Sequence, residues 1–239
     1  MQDQQQQYIN SILVIGASGR TGIQIMKHLA SHPNRPRVHA FCRSPTKLAE
    51  AKKDRIFHSI IKGDATDPQD LERAIQSTHA QCVVVAVGNG DNLGKTDIRT
   101  TSALALAQVL QKPQFEHIKT LVVSSNGTAP SKIRIGMGMG KLIQYHLRHV
   151  LKDHQGQEAA FVPILGRTLI VRPTALTDGK HNPELVEFGD VERAPTIHID
   201  RSDVAHYVAK QILGHTSEGD PFSGGRVINL TAAKKSRKQ

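Results

Sequence analysis

Short runs of apolar residues recur along the chain and alternate with longer segments in which apolar residues follow a helical spacing. The runs are four to six residues long, which is typical of strands buried on both faces of a parallel sheet. The predicted strands are 12–15, 38–42, 56–61, 82–87, 118–123, 167–171, 196–199 and 227–230. The predicted helices are 21–30, 68–76, 97–110, 142–151 and 200–213. This alternation predicts an α/β fold with a doubly wound parallel sheet.

The first strand leads through a glycine-rich turn into a helix, with the sequence ILVIGASGRTG at residues 12–22. Gly16, Gly19 and Gly22 are spaced G-x-x-G-x-x-G. Beside a pyrophosphate, one glycine allows the sharp turn, one lets backbone N–H groups approach the phosphates, and one lets the helix pack closely on the sheet. The helix N-terminus supplies aligned donors to the anion. The triplet therefore predicts a dinucleotide-binding turn; the alternative is a turn that needs glycine for its backbone alone.

The end of the second strand indicates which dinucleotide binds. NAD-preferring sites commonly place a carboxylate after this strand, where it holds the ribose 2′-hydroxyl. Here Arg43, Ser44 and Lys47 follow the strand, and the first carboxylate is Glu50. Arg43 can hold a 2′-phosphate with two parallel N–H bonds, Ser44 can donate another, and Lys47 adds positive charge. The pattern predicts NADP (NADPH) as the cofactor; the alternative is a basic loop that faces solvent.

Three later stretches carry a resemblance to a known family. They are VVSSNG at 122–127, VRPTALTDG at 171–179 and IDRSDVAHYV at 199–208. Together with GASGRTG, they resemble the atypical short-chain dehydrogenase/reductases, in particular the NmrA-like NAD(P)H-binding group near flavin reductase/biliverdin-IXβ reductase. The likeness extends over 11–230. It implies a single-domain NAD(P)-binding Rossmann fold, in which the segments after Ser125 build the substrate pocket.

The resemblance also implies which residues contact the cofactor. In the family, the acid at the position of Asp64 accepts a hydrogen bond from the adenine amino group; its alternative role is to cap the next helix, which Asp67 could do as well. The loop at 88–90 is expected beneath the ribose and pyrophosphate, and the backbone after Arg172-Pro173 against the nicotinamide. The full expected cofactor set is Gly16, Ser18, Gly19, Arg20, Thr21, Gly22, Arg43, Ser44, Lys47, Asp64, Ala65, Val87, Gly88, Asn89, Ser124, Pro173 and Thr174.

Ser125 and Tyr145 are the candidate catalytic residues. The best-known members of the superfamily keep an active-site serine at the end of the fifth strand, which Ser125 matches most closely; a serine pair there could equally serve the turn. Those members also carry Tyr-x-x-x-Lys, in which the lysine lowers the tyrosine pKa for proton transfer. Here Tyr145 is followed four residues later by His149, and the chain contains no Tyr-x-x-x-Lys. His149 is either a substitute proton source or a histidine on the helix surface.

Three further segments are expected to border the substrate or to shape the fold. Asp153, His154 and Glu158 resemble the family's Asp-Lys-x-x-x-Glu pattern with histidine in place of lysine, and we interpret them as helix structure. The stretch 129–140 is rich in glycine and methionine, which suits either the lip of a pocket for a flat substrate or ordinary loop packing. The polar stretch 178–188 is expected to form a substrate lid.

The formal net charge of +10 bears on the choice of partner. Four of these charges lie close together in the C-terminal tail, at Lys234, Lys235, Arg237 and Lys238. A basic cleft also suits a cofactor with several phosphates. Because no nucleic-acid-binding motif occurs and aromatic residues make up only 4% of the chain, nucleic acid is not an expected partner. The glutamine-rich residues 1–10 and the basic residues 231–239 are expected to be disordered tails.

The remaining composition narrows the class of protein. Cys42 and Cys82 lie in apolar runs, as expected of two buried thiols in a reduced cytoplasmic protein. The histidine pairs with helical spacing lack acidic or cysteine companions, so no metal site is expected. No apolar run reaches about 18 residues and the N-terminus shows no secretory signal, so no membrane partner is expected. A small-molecule substrate is expected, and the sequence does not indicate an oligomeric state.

These features predict an NADPH-dependent oxidoreductase that transfers hydride to a small conjugated acceptor, such as a flavin or a quinone. Hydride addition to a conjugated ring delocalises the negative charge, so the missing Tyr–Lys acid matters less. The alternative is a non-catalytic NADP(H)-binding regulator or assembly factor of the NmrA-like type, which the same absence supports equally. Nucleotide-sugar epimerases and dehydratases normally retain the Tyr–Lys pair, which disfavours that class.

Overall fold

An eight-stranded sheet forms the centre of the fold in the computed structural model, which describes residues 9–33, 35–90, 92–134, 139–179, 182, 184–214 and 219–234. The strands are β1 (Ser11–Ile15), β2 (Arg37–Cys42), β3 (Ser59–Lys62), β4 (Cys82–Val85), β5 (Lys119–Val123), β6 (Thr168–Pro173), β7 (Ala175–Thr177), β8 (Leu185–Phe188), β9 (His198–Asp200) and β10 (Arg226–Ala232). The helices are α1 (Arg20–Ser31), α2 (Ala49–Lys53), α3 (Pro68–Thr78), α4 (Ile98–Leu110), α5 (Met139–His146), α6 (Arg148–Ala160) and α7 (Arg201–Leu213).

The sheet has the doubly wound topology that the sequence predicts. Its strand order is β3-β2-β1-β4-β5-β6-β10-β8. All neighbouring strands are parallel except β10 and β8, which are antiparallel. From β1 the chain builds outward to β2 and β3 and then crosses to β4 on the other side of β1. The carboxyl ends of β1 and β4 therefore border a topological switch point, where open α/β sheets bind their ligands.

Helices cover both faces of this sheet. Helix α1 packs against α7 on one face, and α4 packs against α6 and α3 on the other. Alternate residues of β1 supply the two cores, because Ile12 and Val14 belong to the cluster under α1 and α7, whereas Leu13 and Ile15 belong to the cluster under α3 and α4. Burial on both faces explains the continuous apolar run in the sequence. None of the helices in the described part of the chain is long and apolar enough to cross a membrane.

One predicted helix is divided in two. The spacing predicts a single helix at 142–151, but α5 and α6 meet at Leu147, which has φ −87° and ψ 6°. The Leu147 N–H still donates to the Ile143 carbonyl at 2.9 Å, and the Leu151 N–H donates to the Leu147 carbonyl at 2.9 Å. The hydrogen bonds therefore continue across a bend that no glycine or proline marks in the sequence.

Aspartate side chains cap both α3 and α7. The side chain of Asp67 accepts a backbone N–H from the first turn of α3 at 2.9 Å. For α7 the helix is predicted to begin at residue 200, and the structure shows Asp200 as its cap, because Asp200 Oδ1 accepts the Ser202 N–H at 2.8 Å. Asp203, in the first turn of α7, accepts the Asn182 N–H at 3.0 and 3.1 Å. Its carboxylate serves a loop contact that local spacing does not reveal.

Several predicted boundaries also change. The third strand begins at Ser59, three residues later than predicted, and the expected lid at 178–188 contributes β8 to the sheet edge. Strand β10 continues to Ala232, so the first two residues of the predicted C-terminal tail belong to the sheet. Parts of four predicted segments lie outside the described residues: 1–8 and 235–239 of the tails, 135–138 of the pocket lip, and 180, 181 and 183 of the lid.

Both cysteines are free and buried, as predicted. Burial raises the pKa of the Cys42 thiol. It raises the pKa of Cys82 to about 12. Both side chains therefore remain protonated at neutral pH and act as small apolar core residues.

Candidate cofactor and active site

The glycine turn joins β1 to α1 at the switch point. Gly16 has a φ of +83°, which residues with a β-carbon rarely adopt. A β-carbon at Gly16 would lie 2.5 Å from the Ala86 carbonyl oxygen, and a β-carbon at Gly22 would collide with the Gly16 carbonyl oxygen. Gly16 thus permits the turn and the close approach of the loop after β4, and Gly22 permits the helix to pack against the turn.

The N-terminus of α1 has no capping side chain. Gly19 is the N-cap residue, and the first turn contains no acidic residue. The Gly19 N–H is used within the turn, where it donates to the Gly16 carbonyl at 3.0 Å. Ser18 and Thr21 are partly exposed beside this end, and Arg20 is exposed. The aligned N–H groups and the positive end of the helix dipole form a setting that suits a pyrophosphate.

The loop after β4 lies against the glycine turn. Its Ala86 N–H donates to the Ile15 carbonyl at 2.9 Å, and Val87, Gly88 and Asn89 follow. Asn89 donates its Nδ2 to a backbone carbonyl three residues later at 2.7 Å. Its Oδ1 is buried and accepts no hydrogen bond from the described residues. An unpaired acceptor on the loop whose start lies against the glycine turn fits a ligand that carries hydroxyl groups, as the ribose of a dinucleotide does.

The basic loop after β2 is exposed, and its two cations are not neutralised by a carboxylate of the described residues. Arg43, Ser44 and Lys47 are all exposed. Glu50, the first carboxylate after the strand, is paired with Lys53 at 2.8 Å. None of the described residues forms an ion pair with Arg43 or Lys47. The loop is therefore free to bind an anionic group such as a 2′-phosphate.

Asp64 and Ala65 follow β3, beside this basic loop. Asp64 Oδ1 accepts the Thr66 N–H at 2.9 Å and the Thr66 hydroxyl at 2.8 Å. These two bonds lower the pKa of Asp64, and the charge of Arg43 lowers it further. Because Asp67 caps α3, the alternative role of Asp64 as the helix cap is wrong. Its Oδ2 accepts no hydrogen bond from the described residues and is the atom available to an adenine amino group.

A buried ion pair lies at the ends of β5 and β6. Glu158 on α6 accepts two hydrogen bonds from Arg172 on β6, Nε to Oε1 at 2.9 Å and Nη2 to Oε2 at 2.5 Å. Ser124, directly after β5, donates its hydroxyl to the same carboxylate at 2.5 Å. All three residues are buried. The two-pronged match between guanidinium and carboxylate fixes α6 against both strand ends.

Two amide side chains extend this network across the sheet. Arg172 Nη1 also donates to Asp190 at 3.1 Å, and Asp190 accepts Asn229 Nδ2 at 2.8 Å. Asn126 Nδ2 donates to Asn229 Oδ1 at 3.1 Å. The Asn126 backbone N–H donates to the Pro173 carbonyl at 2.9 Å. The turns that leave β5 and β6 are therefore held at a fixed separation.

This network was not predicted. Residues 153–160 were interpreted as helix structure, although Glu158 is a buried charge that needs a partner. Ser124 and Thr174 were expected to contact the cofactor. Their hydroxyls are engaged by protein groups, since Ser124 donates to Glu158 and Thr174 Oγ1 lies 3.0 Å from Thr231 Oγ1. The available signal was Arg172 at the end of an apolar strand, because a buried arginine needs an anionic partner.

The two catalytic candidates lie in different settings. Ser125 is half-buried, and its hydroxyl donates to the next residue's carbonyl at 3.2 Å, a long bond that a substrate could replace. Tyr145 on α5 is 66% exposed, and the Arg148 guanidinium lies 4.5 Å from its ring centre. Among the described residues, no contact joins Tyr145 to Ser125. Helix α5 does reach the loop after β5, because Gln144 Nε2 lies 3.5 Å from the Gly127 carbonyl. Both catalytic roles stay predictions.

His154 stands where the family pattern has lysine, and it is buried. Desolvation lowers its pKa to about 3, and the charge of Arg99 contributes in the same direction. Its Nδ1 lies 3.1 Å from Gln157 Oε1. The imidazole is therefore neutral at physiological pH and cannot supply the positive charge that a lysine would.

Asp153, the neighbour of His154 on α6, caps the N-terminus of α4, a different helix. Its carboxylate accepts the backbone N–H groups of Arg99 at 3.2 Å and Thr100 at 2.9 Å. It also accepts the Thr100 hydroxyl at 2.9 Å and pairs with the Arg99 guanidinium at 3.2 Å. Asp97, the local N-cap residue of α4, makes no side-chain cap bond. The start of α4 therefore depends on α6.

A charged contact joins α1 to the segment after β7. Arg20 Nη1 lies 3.2 Å from Asp178 Oδ2, and Arg201 Nη1 lies 2.8 Å from Asp178 Oδ1. The adjacent Gly179 N–H donates to Asp200. The Asp178 carboxylate thus lies between two cations, one of which begins the helix whose N-terminus suits an anion.

Comparison with known proteins agrees with this geometry. A family model described as NAD(P)H-binding matches residues 16–214. A wide-type short-chain dehydrogenase/reductase from Veillonella parvula, solved in complex with NADP, superposes with a TM-score of 0.72 over 93% of this chain and 94% of that one, at 15% identity. The anaerobillin reductase ChuY from Escherichia coli superposes with a TM-score of 0.67 over 95% and 99%, also at 15% identity. At these identities the two structures show a shared fold.

Similarity to a curated protein is local. The chain is 37% identical over 82 residues to sterol-4-α-carboxylate 3-dehydrogenase (decarboxylating) of Saccharomyces cerevisiae. The matched part covers 32% of this chain and 23% of the yeast enzyme. The chain therefore matches less than a quarter of that enzyme's length.

Proposed function

The chain belongs to the NAD(P)H-binding family, and on this premise we propose that it is an NADPH-dependent oxidoreductase that transfers hydride to a small conjugated acceptor. The observation that carries the proposal is the combination of an uncapped helix N-terminus at the switch point with an exposed, unpaired basic loop after β2. NADPH, when bound, supplies the hydride. The residues of the chain bind it, orient it and exclude water.

The basic loop supports NADPH over NADH. Arg43 and Lys47 have no carboxylate partner among the described residues, so a 2′-phosphate would not have to displace one. A carboxylate at this position would instead repel the phosphate and favour the 2′-hydroxyl of NADH. Asp64 stays ionised beside this loop and accepts hydrogen bonds only, which suits the adenine amino group.

The nature of the acceptor follows from which proton donors the site lacks. His154 is neutral and buried, and the residue four positions after Tyr145 is His149 rather than lysine. Reduction of an unconjugated carbonyl group, as in a simple aldehyde or ketone, needs an acid to protonate the developing alkoxide. A flavin or quinone spreads the charge over its ring, and Ser125 or water can then supply the proton. The Glu158–Arg172 network contributes by holding the two walls of the site at a fixed distance.

NADPH oxidation followed by absorbance tests the proposal. The purified protein is given a panel of flavins, quinones and small aldehydes, with NADH as the paired control. We expect turnover with a conjugated acceptor, faster with NADPH than with NADH, and little turnover with aldehydes. Turnover of aldehydes alone would contradict the assignment of a conjugated acceptor.

A second function has an observation in its favour. The absence of a Tyr–Lys pair and the neutral state of His154 are equally compatible with a non-catalytic NADP(H)-binding regulator. The same panel separates the two functions. NADPH binding measured by calorimetry, together with no turnover of any acceptor, would favour the regulator. If the protein does not bind NADPH at all, both proposed functions are wrong.

A further inference from the structure

We propose that α5 and the start of α6 form a docking surface for an anionic lipid bilayer. This inference is independent of the proposed function. We call the surface the basic ridge, and it consists of Met139, Lys141, Leu142, Tyr145, Arg148 and Lys152.

The apolar part of the ridge protrudes from a short helix. Met139, Leu142 and Tyr145 are 50%, 62% and 66% exposed. They account for three of the nine large apolar side chains that are exposed in the described part of the chain, although α5 has only eight residues. Gly140 of the same helix is buried, and Ile143 and Leu147 are partly buried. The exposed apolar residues are therefore additional to those that pack α5 onto the protein.

The charge of this region has one sign. Between Ser131 and Lys152 the sequence contains five lysines and arginines and no aspartate or glutamate. The five are Lys132, Arg134, Lys141, Arg148 and Lys152, and all are exposed. Within the ranges that the structure describes, none of them forms an ion pair. The ridge therefore offers unneutralised positive charge directly beside apolar side chains.

This combination favours a bilayer over the other anionic partners. The apolar side chains stand on a convex helix rather than lining a groove, so they fit a partner that deforms around them. Lysine and arginine stems reach to headgroup phosphates while apolar tips enter the acyl boundary, and tyrosine suits the interface between the two. A nucleic acid would gain little, because the six residues of the ridge include one aromatic side chain, Tyr145, on which a base could stack. The expectation of no membrane partner considered spanning segments and secretory signals, which this mode of binding does not need.

Vesicle co-sedimentation of the full-length protein tests the proposal. We expect the protein to bind phosphatidylcholine vesicles that contain phosphatidylserine, to be released by salt, and not to bind vesicles of phosphatidylcholine alone. Leu142→Ser should lower the partition coefficient about tenfold, because the variant loses the leucine side chain that the bilayer would bury. The double variant Lys141→Gln/Lys152→Gln should lower it about twenty-fivefold, or about fivefold for each cation.

Matched variants control for charge and apolarity elsewhere on the surface. Lys52→Gln/Lys210→Gln removes the same charge from exposed lysines on α2 and α7, and Leu104→Ser removes a leucine that is 55% exposed on α4. Neither should change vesicle binding by more than about twofold. Unchanged NADPH affinity shows that each variant is folded.

Three outcomes would overturn the proposal. They are absence of vesicle binding, equal binding to vesicles without phosphatidylserine, and binding that the ridge variants leave unchanged. Sedimentation velocity without lipid adds a fourth: a dimer that Leu142→Ser dissociates would assign the ridge to a second copy of the chain. Because none of these assays measures turnover, the outcome does not depend on whether the oxidoreductase proposal holds.

Discussion

At the scale of single residues, Arg43 offers the most direct test of cofactor choice. Arg43→Ala should weaken NADPH binding about tenfold or more, because a charge-assisted pair to the 2′-phosphate is lost. NADH binding should change little, since NADH carries an uncharged 2′-hydroxyl in place of the phosphate. Calorimetric titration of both cofactors measures the two affinities. Arg193→Ala, at another exposed arginine, is the control, and equal losses for NADPH and NADH would remove Arg43 from cofactor recognition.

Glu158 tests whether the buried network stabilises the molecule. Glu158→Gln removes the carboxylate that accepts two hydrogen bonds from the buried Arg172 guanidinium and leaves Asp190 as its charged partner, so we expect the free energy of unfolding to fall by about 3 kcal/mol. Ser124→Ala removes one hydrogen bond and should cost about 1 kcal/mol. Urea unfolding measures both. If Glu158→Gln lowers the free energy of unfolding no more than Ser124→Ala does, the ion pair does not hold the two strand ends together.

Single residues were predicted well where their role depends on near neighbours in sequence. The conformation of Gly16, the packing of Gly22 and the cap at Asp67 all follow from the residues immediately around them. The partner of the Ser124 hydroxyl could not be predicted, because Glu158 lies 34 positions away. Burial of a polar side chain implies that it has a hydrogen-bond partner, but it does not identify that partner.

At the scale of elements, the start of α4 depends on a residue of another helix. Asp153→Ala removes the acceptor of two backbone N–H groups and leaves the Arg99 guanidinium buried without its counter-charge. We expect the free energy of unfolding to fall by about 3 kcal/mol and amide exchange at Arg99 and Thr100 to accelerate. Hydrogen exchange followed by mass spectrometry measures the second effect.

Asp97 provides the matched control. It stands at the local N-cap position of α4 but makes no side-chain cap bond. Asp97→Ala should therefore change stability by less than about 0.5 kcal/mol. If Asp97→Ala proves more costly than Asp153→Ala, local capping determines the helix start.

The elements themselves were predicted to different degrees. Helix α3 begins where its local signal places it, at Asp67 followed by proline. The division between α5 and α6 was not predictable, because the hydrogen bonds pass through Leu147 and no helix-breaking residue occurs there. Strand β8 was assigned to a lid because it is only four residues long and ends the stretch 178–188, which is polar as a whole. It becomes a strand through pairing with β10, which is 41 residues away at the Phe188–Asn229 pair.

At the scale of the whole molecule, two buried histidines make stability depend on pH. Desolvation, followed by the charges of His58 and Arg37, lowers the pKa of His39 to about 4. The pKa of His154 is lowered to about 3. Both values lie below the ordinary value of 6.5, so the folded state binds fewer protons than the unfolded state at acidic pH. The stability that these neutral rings contribute is complete above pH 6.5 and is lost as the pH falls toward 4 and then 3.

We therefore expect urea midpoints to decrease between pH 7 and pH 4.5, with each histidine adding at most about 1.4 kcal/mol per pH unit. His154→Gln should reduce the slope, whatever it does to stability at pH 7. His117→Gln, at an exposed histidine, should leave the slope unchanged. A His154→Gln slope equal to that of the unaltered protein would show that His154 does not contribute to acid sensitivity.

The overall architecture could be predicted because it depends on patterns repeated many times. Eight apolar runs with five helical segments between them leave few alternatives to a doubly wound sheet, and the glycine turn identifies its switch point. The family match confirms the resemblance to NAD(P)H-binding proteins. The edge of the sheet was not predicted, because a single antiparallel strand carries too little pattern to be distinguished from a loop.

The contact of Arg20 with Asp178 has a consequence for how the site fills. Under the proposed function, a cofactor phosphate that binds at the N-terminus of α1 and engages Arg20 would take the place of the Asp178 carboxylate. Asp178 would keep its second cation, Arg201, so the segment that follows β7 would lose one of its two ion pairs and retain the other. Because Arg201 begins α7, this shared carboxylate would link cofactor binding at the glycine turn to that helix.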